Sequence, residues 1–283
     1  MTTEGATREV ATALRRLGSA PRTVELVTPS GTGKAGRPAF RVETLDGRTV
    51  KVRVLDSSEE ARALVELRAD LECAFAPVIG RNGRVLVEEW SDGTPLEVSE
   101  TPSRLEEAGA LLGRLHERAL PTGHPRVQTT ADRRRQACED LAALVGAGQL
   151  ATAEADALTA ALKRLDPGIT PAAVVHQDFC AENMLLDREG RLRVVDNEWV
   201  AVGCAGFDLG RTHDRWGLVA TDWARFLDGY RSAGREPSDT VFWIVIAALW
   251  GARLRYERNP ARLTASLVRL RQLAASLATT TVA

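Results

Sequence analysis

The fold is decided by one stretch of the sequence, His176-Gln177-Asp178-Phe179-Cys180-Ala181-Glu182-Asn183. The apolar run Ala172–Val175 precedes it and predicts a short strand that leads into a polar loop. After the loop, two apolar runs flank a turn at Gly190, and the second run ends just before Asp196. This pattern predicts a β-hairpin with an acidic residue at the end of its second strand.

Three oxygen-bearing side chains, Asp178, Asn183 and Asp196, would converge on one point if this strand, loop and hairpin form. Phosphoryl transfer from a nucleotide needs a base for the acceptor hydroxyl and oxygen ligands for Mg²⁺. We therefore interpret Asp178 as the base and Asn183 and Asp196 as metal ligands. Each could instead favour a turn or be a solvated acid, but the joint spacing favours the catalytic interpretation.

The H-x-D-x-x-x-x-N pattern with its later Asp resembles the catalytic core of the aminoglycoside phosphotransferase and choline kinase-like family, small-molecule relatives of protein kinases. Residues 112–116, 194–199 and 206–211 are also similar to that family, and the resemblance spans roughly residues 23–257. It implies a two-lobed, protein-kinase-like α+β fold. A small antiparallel β lobe with one helix would accompany a larger, mainly helical lobe.

The hydrophobic periodicity agrees with such an organisation. We predict a helix over 5–17, strands over 23–27, 40–45, 49–55, 77–79 and 84–90, and a helix that begins near Ser57. Beyond a linker, helices are predicted over 102–118, 130–146, 151–165, 207–217, 220–233, 238–257 and 260–278. The predicted lobes are therefore residues 1–90 and 97–283, joined by a hinge over residues 91–96.

The glycine-rich segment Gly31-Thr32-Gly33-Lys34-Ala35-Gly36 admits several interpretations. A dinucleotide fingerprint would open a helix, but Pro38 and an alternating strand follow. A Walker loop would need Ser or Thr at position 35. A hairpin that covers nucleotide phosphates fits the flanking strands, so we assign Gly31, Gly33 and Gly36 to the nucleotide. A plain turn is the alternative.

Lys51 is one of only three lysines in the chain, the others being Lys34 and Lys163. In the predicted strand it shares a face with Arg53. A compact ammonium that contacts two phosphates is not equivalent to a guanidinium, so we assign Lys51 to the nucleotide phosphates, with Arg53 as the rival. Its predicted carboxylate partner is Glu60, and Glu59 is nearly as good.

The resemblance implies further roles. Backbone groups near Glu88 and Trp90 would bind adenine, and Asp208 would hold the catalytic-loop backbone from inside. We expect His176 to brace the loop. Glu198 is assigned either to a second metal or to an arginine. Gln177 departs from the small residue that many relatives have at that position.

The composition excludes several other classes of protein. The net charge of -1 provides no general basic surface for nucleic acid. The longest apolar run, residues 241–252, is too short to span a bilayer, so we expect no membrane insertion. The start lacks the features of a signal peptide, and the four cysteines match no zinc spacing. We expect a cytoplasmic protein, as a monomer or weak homodimer.

The resemblance implies ATP and Mg²⁺ as cofactors and a small-molecule hydroxyl, of an antibiotic, amino alcohol or other metabolite, as acceptor. Residues 201–283 carry eleven arginines and seven acids, which is unlike an acidic site for polycations. We expect a neutral, singly charged or anionic acceptor with contacts from Trp216 and Trp223. The alternatives are a nucleotide-binding regulator without turnover, or a protein kinase. No Ala-Pro-Glu segment follows Asp196, which disfavours the protein kinase.

Overall fold

We describe the fold from a computed structural model, which describes residues 3–27, 38–69, 71, 74–96, 101–120 and 128–279. The chain divides into two compact units. The first unit consists of residues 1–96 and 182–200, and the second of residues 97–181 and 201–283. An antiparallel sheet dominates the first unit and helices dominate the second. The predicted α+β fold class is confirmed.

The first unit contains a five-stranded antiparallel sheet in the order β1-β2-β3-β5-β4. Its strands are β1 (Pro21–Val27), β2 (Ala39–Thr44), β3 (Thr49–Val54), β4 (Val78–Asn82) and β5 (Val85–Glu89). The predicted turn after β2 contains Gly47 at φ +83°, a conformation that glycine adopts without steric cost.

Two helices belong to this unit, α1 (Thr3–Arg16) and α2 (Ser58–Arg68). The apolar stripe of α1 packs on the valine-rich face of the sheet and forms one core with Phe40, Val42, Val52 and other apolar residues. Because strand side chains alternate, this packing directs Lys51 and Arg53 of β3 to the opposite face. Ser57 caps α2 by accepting a hydrogen bond from the backbone N–H of Glu60.

The first unit also contains a small sheet in the order β6-β8-β9, formed by β6 (Thr94–Pro95), β8 (Met184–Leu186) and β9 (Leu192–Val194). In addition, Val194 donates a backbone hydrogen bond to the carbonyl of Ala74 at 2.7 Å. These contacts group residues 182–200 with the first unit. The predicted lobe of residues 97–283 therefore differs from the observed second unit in this segment. Backbone pairing to residues so distant in sequence leaves no local signal.

The second unit is built from helices α3 (Thr101–Glu117), α4 (Thr130–Gly146), α5 (Thr152–Arg164), α6 (Ala205–Trp216), α7 (Ala220–Ser232), α8 (Thr240–Arg258) and α9 (Leu263–Thr279). Strands β7 (Ala172–Val175) and β10 (Ala201–Cys204) pair antiparallel beside them. Helix α8 is apolar on most sides because it passes through the core, where it contacts α4, α5, α6 and α9. In the described ranges, no helix has both the length and the apolar character needed to cross a membrane.

The predicted elements lie within about three residues of the observed ones, the usual uncertainty of element ends. The sequence patterns did not predict two short strands. β6 lies in the segment interpreted as a linker, and β10 follows the hairpin. Their partners, β8 and β7, are remote in sequence, so neither strand has a neighbouring turn to indicate it.

Helices α3 and α7 approach closely at glycines. A Cβ atom at Gly109 would collide with the backbone carbonyl of Phe226, and one at Gly229 would collide with the carbonyl of Glu106. A Cβ at Gly113 would lie 2.7 Å from the carbonyl oxygen of Tyr230. The obstructing atoms are backbone atoms, which cannot rotate away.

We predict that Gly109→Ala lowers the free energy of unfolding by about 1–3 kcal/mol or more, because α7 must shift to admit the methyl group. Urea unfolding measures the change. Gly146→Ala is the matched control: a Cβ there meets nothing within 4 Å, so alanine should stabilise the helix by up to about 1 kcal/mol. Equal effects of the two substitutions would contradict the close helix approach.

Candidate active site

In the first unit, a charged cluster lies on the face of β3 that is turned away from α1. Arg53 donates to Asp196 at 2.7 Å and also pairs with Glu198. The side chains of Arg53 and Glu198 are almost completely buried. Glu198 therefore pairs with an arginine, which is one of its two predicted roles. The sequence feature that indicated the pair between Arg53 and Glu198 was the alternation of side chains in β3, which puts Lys51 and Arg53 on one face.

Lys51 lies in the same cluster, with its Nζ 3.6 Å from Oδ1 of Asp196. Burial lowers the pKa of Lys51, and the neighbouring Arg53 lowers it further. The predicted pair with Glu60 is wrong: among the described residues, the ion pair that Lys51 makes is with Asp196. Glu60 lies in the first turn of α2, where its carboxylate accepts from the backbone N–H of Asp56 at 3.2 Å. This local hydrogen bond serves the helix terminus.

A cavity of about 150 Å³ opens beside this cluster within the first unit. Its lining includes Lys51, Glu88, Trp90 and Asp196. The carboxylate of Glu88 is turned into the interior and pairs with Arg68. Burial raises the pKa of Glu88, but Arg68 and other nearby cations hold it below its usual value. The side chain is thus structural, and the assignment of the Glu88 and Trp90 backbone to adenine stays a prediction.

The two predicted metal ligands lie at the same end of the β8–β9 hairpin. Met184 is opposite Val194, and the carbonyl of Asn183 accepts from the N–H of Val195 at 2.9 Å. This register puts Asn183 and Asp196 at neighbouring positions of the hairpin end. A carboxylate and an amide oxygen suit Mg²⁺, which keeps its other positions for phosphate and water. The described residues contain no cluster of three or more His, Cys, Asp or Glu suited to a metal, and the assignment of Asn183 and Asp196 to Mg²⁺ stays a prediction.

In the second unit, the loop that carries Asp178 is held by the buried carboxylate of Asp208. That carboxylate accepts from the backbone N–H groups of His176 at 2.6 Å and Gln177 at 2.7 Å. It also contacts Nε2 of His116 at 3.1 Å. Burial raises the pKa of Asp208, but hydrogen bonds and charge interactions with His116 and His176 together hold the pKa below its usual value. The predicted structural role of Asp208 is confirmed, whereas the contribution of His116 was not predicted.

Gln177 adopts a left-handed backbone conformation with φ +66°. Such a conformation costs a residue with a side chain roughly 1–2 kcal/mol, which explains why a small residue suits this position. In this protein two hydrogen bonds stabilise the conformation. The backbone N–H of Gln177 donates to Asp208, and Arg133 donates to the side-chain amide oxygen of Gln177 at 3.1 Å. His176 braces the loop as predicted, since its Nδ1 accepts from the N–H of Asp178 at 3.3 Å.

The carboxylate of Asp178 contacts two guanidinium groups of α6. Nη2 of Arg211 is 3.3 Å and Nε of Arg215 is 3.2 Å from its Oδ1. Residues four apart in sequence share a helix face. The spacing of Arg211 and Arg215 therefore indicated that both could contact the same group, but we did not predict their contact with Asp178. Trp216 and Trp223 pack edge-on and stacked, respectively, against the buried Phe226.

The remaining nucleotide-binding prediction, for Gly31, Gly33 and Gly36, lies outside the described residues.

A comparison with protein families agrees with this arrangement. A family model described as the phosphotransferase enzyme family matches residues 60–241, which is more than half of the chain. The chain belongs to this family. No curated protein matches the sequence.

Several small-molecule kinases and phosphotransferases with solved structures have a similar fold. A choline/ethanolamine kinase family protein from Mesorhizobium loti is 17% identical with a TM-score of 0.68, over 96% of this chain and 95% of that one. A macrolide 2'-phosphotransferase from Brachybacterium faecium is 18% identical with a TM-score of 0.63, over 96% of each chain. A spectinomycin phosphotransferase, solved with ADP and spectinomycin, is 12% identical with a TM-score of 0.66, over 98% of each chain. They show that the fold of this member is kinase-like.

We predict that Asp208→Asn lowers the free energy of unfolding by about 2–4 kcal/mol, because it weakens three buried hydrogen bonds at once. Thermal or urea unfolding checks this. Asp228→Asn is the control: Asp228 is exposed and pairs with Arg231 on its own helix, so its loss should stay within about 0.5 kcal/mol. Similar losses for both variants would contradict the assigned role of Asp208.

Proposed function

We propose that the protein is an ATP- and Mg²⁺-dependent phosphotransferase that moves the γ-phosphate to a hydroxyl of a small molecule. The observation that carries the proposal is the cavity in the first unit, which Lys51 and Asp196 line together. An ammonium and a carboxylate that could hold Mg²⁺, both lining one cavity, suit a nucleoside triphosphate. Membership of the phosphotransferase family supports the same conclusion.

In this proposal Asp178 accepts the proton of the acceptor hydroxyl. The hydroxyl oxygen forms a bond to phosphorus while the bond between that phosphorus and the nucleotide diphosphate breaks. Asp208 and His176 hold the loop, so Asp178 is oriented before the acceptor binds. Positioning and charge contribute more than base strength, because the transferring group is loosely bonded at the transition state.

Lys51 would contact the nucleotide phosphates, and the backbone near Trp90 would bind the base. A Mg²⁺ ion held by Asn183 and Asp196 would supply positive charge against the phosphate oxygens. Arg53 would keep the Asp196 carboxylate in place through its 2.7 Å contact. The described cysteines are free thiols. We expect the protein to act in the cytoplasm. We also expect it to be a monomer or a weak homodimer.

The direct test is a transfer assay with purified protein, radiolabelled ATP or GTP, and Mg²⁺, against panels of antibiotics, amino alcohols, sugars, hydroxy acids and peptides. Label transfer to a small molecule supports the proposal. Transfer to peptides alone would favour a protein kinase. Nucleotide binding without any transfer would favour a regulator.

We predict that Asp178→Asn reduces turnover by roughly 10²–10⁴-fold, the usual contribution of a positioned base. ADP affinity, measured by calorimetry, should remain unchanged, because Asp178 is assigned to the acceptor. If ADP affinity falls in parallel with turnover, Asp178 has a different role.

We predict that Asp196→Asn abolishes transfer while the fold survives. Asparagine tolerates the left-handed backbone of this position, φ +61°, so the change removes charge without adding strain. Circular dichroism and a transfer assay at saturating Mg²⁺ measure the two properties. The matched control is Glu189→Gln on the turn of the same hairpin, whose side chain is exposed and pairs with Arg191. Near-normal transfer by the Asp196 variant would refute its assignment.

We predict that Lys51→Arg behaves as a loss of function, because the larger, forked guanidinium does not replace a compact ammonium. KM for ATP should rise and turnover should fall. Arg53→Lys is the informative comparison, since Arg53 contacts Asp196 and Glu198 instead of lining the cavity. If Lys51→Arg keeps full activity and Arg53→Lys loses activity, then Arg53 and not Lys51 binds the nucleotide phosphates.

A further inference from the structure

Four arginines of the second unit, which we call the arginine cluster, gather near Asp178: Arg211 and Arg215 of α6, Arg255 of α8 and Arg269 of α9. Three of them surround the single carboxylate of Asp214. Nη1 of Arg255 is 3.3 Å and Nη1 of Arg211 is 3.6 Å from its Oδ2. Nε of Arg269 is 3.7 Å from its Oδ1.

The charges of this cluster do not balance within the described part of the chain. Asp178 is contacted by both Arg211 and Arg215. Even with those two arginines left aside, the single carboxylate of Asp214 faces both Arg255 and Arg269. At least one positive charge is therefore in excess. Burial lowers the pKa of Arg255, and the nearby Arg269 and Arg215 also lower it, although Asp214 acts in the opposite direction. Buried charges in proteins are ordinarily paired, so the excess favours an additional anion.

Hydrogen-bond donors of the cluster point to the same conclusion. The Nε atoms of Arg211 and Arg269 are buried and have no hydrogen-bond acceptor among the described residues. Most buried polar groups in proteins do have a partner. The C-terminal ends of α6 and α8 carry partial negative charge that offsets part of the excess. They supply no acceptor to these two N–H groups.

The arginine cluster is partly exposed. The exposed fraction of the side chain rises from 4% for Arg211 to 13% for Arg255 and 36% for Arg269. Arg211 also stacks on Trp250, with its guanidinium carbon 4.3 Å from the ring centroid. This stacking fixes the plane of the guanidinium group next to Asp178. Exposure within the cluster thus increases from Arg211, which contacts Asp178, to Arg269.

We propose that the arginine cluster binds an anionic group, a carboxylate or a phosphate, of the hydroxyl acceptor. A guanidinium fork matches the two oxygens of either group. The acceptor would then present its hydroxyl to Asp178 while its anionic group lies on Arg255 and Arg269. This inference rests on the proposed function in assigning Asp178 to the acceptor.

The test uses inorganic phosphate and acetate as probes of the two anion chemistries. Binding to the full chain is measured by calorimetry, first alone and then with saturating ADP and Mg²⁺. We expect one of the probes to bind in both conditions. Arg255→Gln and Arg269→Gln should each weaken that binding about tenfold or more, the effect of losing one charge-assisted hydrogen bond. Absence of binding by both probes, or binding that is unchanged in both variants, would overturn the proposal.

Arg253→Gln provides the matched control. Arg253 precedes Arg255 by two residues in α8 and pairs with Glu257 at 2.6 Å, outside the cluster, so probe affinity should stay at the wild-type value. Circular dichroism establishes that each variant is folded. If Arg255→Gln fails to fold, Arg269→Gln decides the test, because its side chain is the most exposed of the three that contact Asp214. An equal loss in Arg253→Gln would overturn the proposal.

The bound anion could also be the terminal phosphate of the nucleotide, and a non-hydrolysable ATP analogue distinguishes this source. Probe binding that persists with the analogue assigns the cluster to the acceptor, whereas displacement by the analogue but not by ADP would overturn that assignment. Failure of the proposed function has a different signature. Arginine-dependent anion binding without phosphoryl transfer to any acceptor refutes the proposed function, and transfer without such binding refutes only this inference.

Discussion

The buried carboxylate of Asp208 is the contact on which the candidate catalytic loop depends. This carboxylate accepts hydrogen bonds from two consecutive backbone N–H groups, those of His176 and Gln177. It also contacts the ring of His116. His116 is itself held by a 2.8 Å contact to the hydroxyl of Tyr230 on α7. The loop is therefore fixed from the helical core outward. A local sequence pattern alone could not impose this geometry, because Gln177 would avoid its left-handed conformation without such support.

Carboxylates held by guanidinium groups recur in both units. Asp196 is contacted by Lys51 and Arg53 in the first unit, and Asp178 by Arg211 and Arg215 in the second. Side chains that are oriented before a ligand arrives avoid the entropic cost of ordering them later. The chain has few lysines and many arginines, and the planar fork of arginine suits this positioning role. Buried arginine also has a consequence: where the guanidinium groups outnumber the carboxylates, as around Asp214, the site favours an anion.

Backbone strain marks the same segments. Gln177 and Asp196 both adopt left-handed conformations, and each costs roughly 1–2 kcal/mol relative to ordinary backbone. The surrounding hydrogen bonds maintain this strain, which is found preferentially at functional sites. Asp196 has the additional contacts of Arg53 and Lys51, so its carboxylate is directed by both its backbone and its partners.

The sequence by itself determined the α+β class, the β3 strand with Lys51 and Arg53 on one face, and most helices, because these depend on periodicity and turn residues that are local in the chain. It also led to the prediction that Asp178, Asn183 and Asp196 serve phosphoryl transfer. The tertiary structure alone decided the partners of those residues. Lys51 pairs with Asp196 and not with the predicted Glu60. Residues 182–200 belong to the first unit, and several arginines contact Asp214. Each of these contacts joins residues that are remote in sequence. Such contacts form only when helices and strands pack, since side-chain pairing across the core has no periodic signature along the chain.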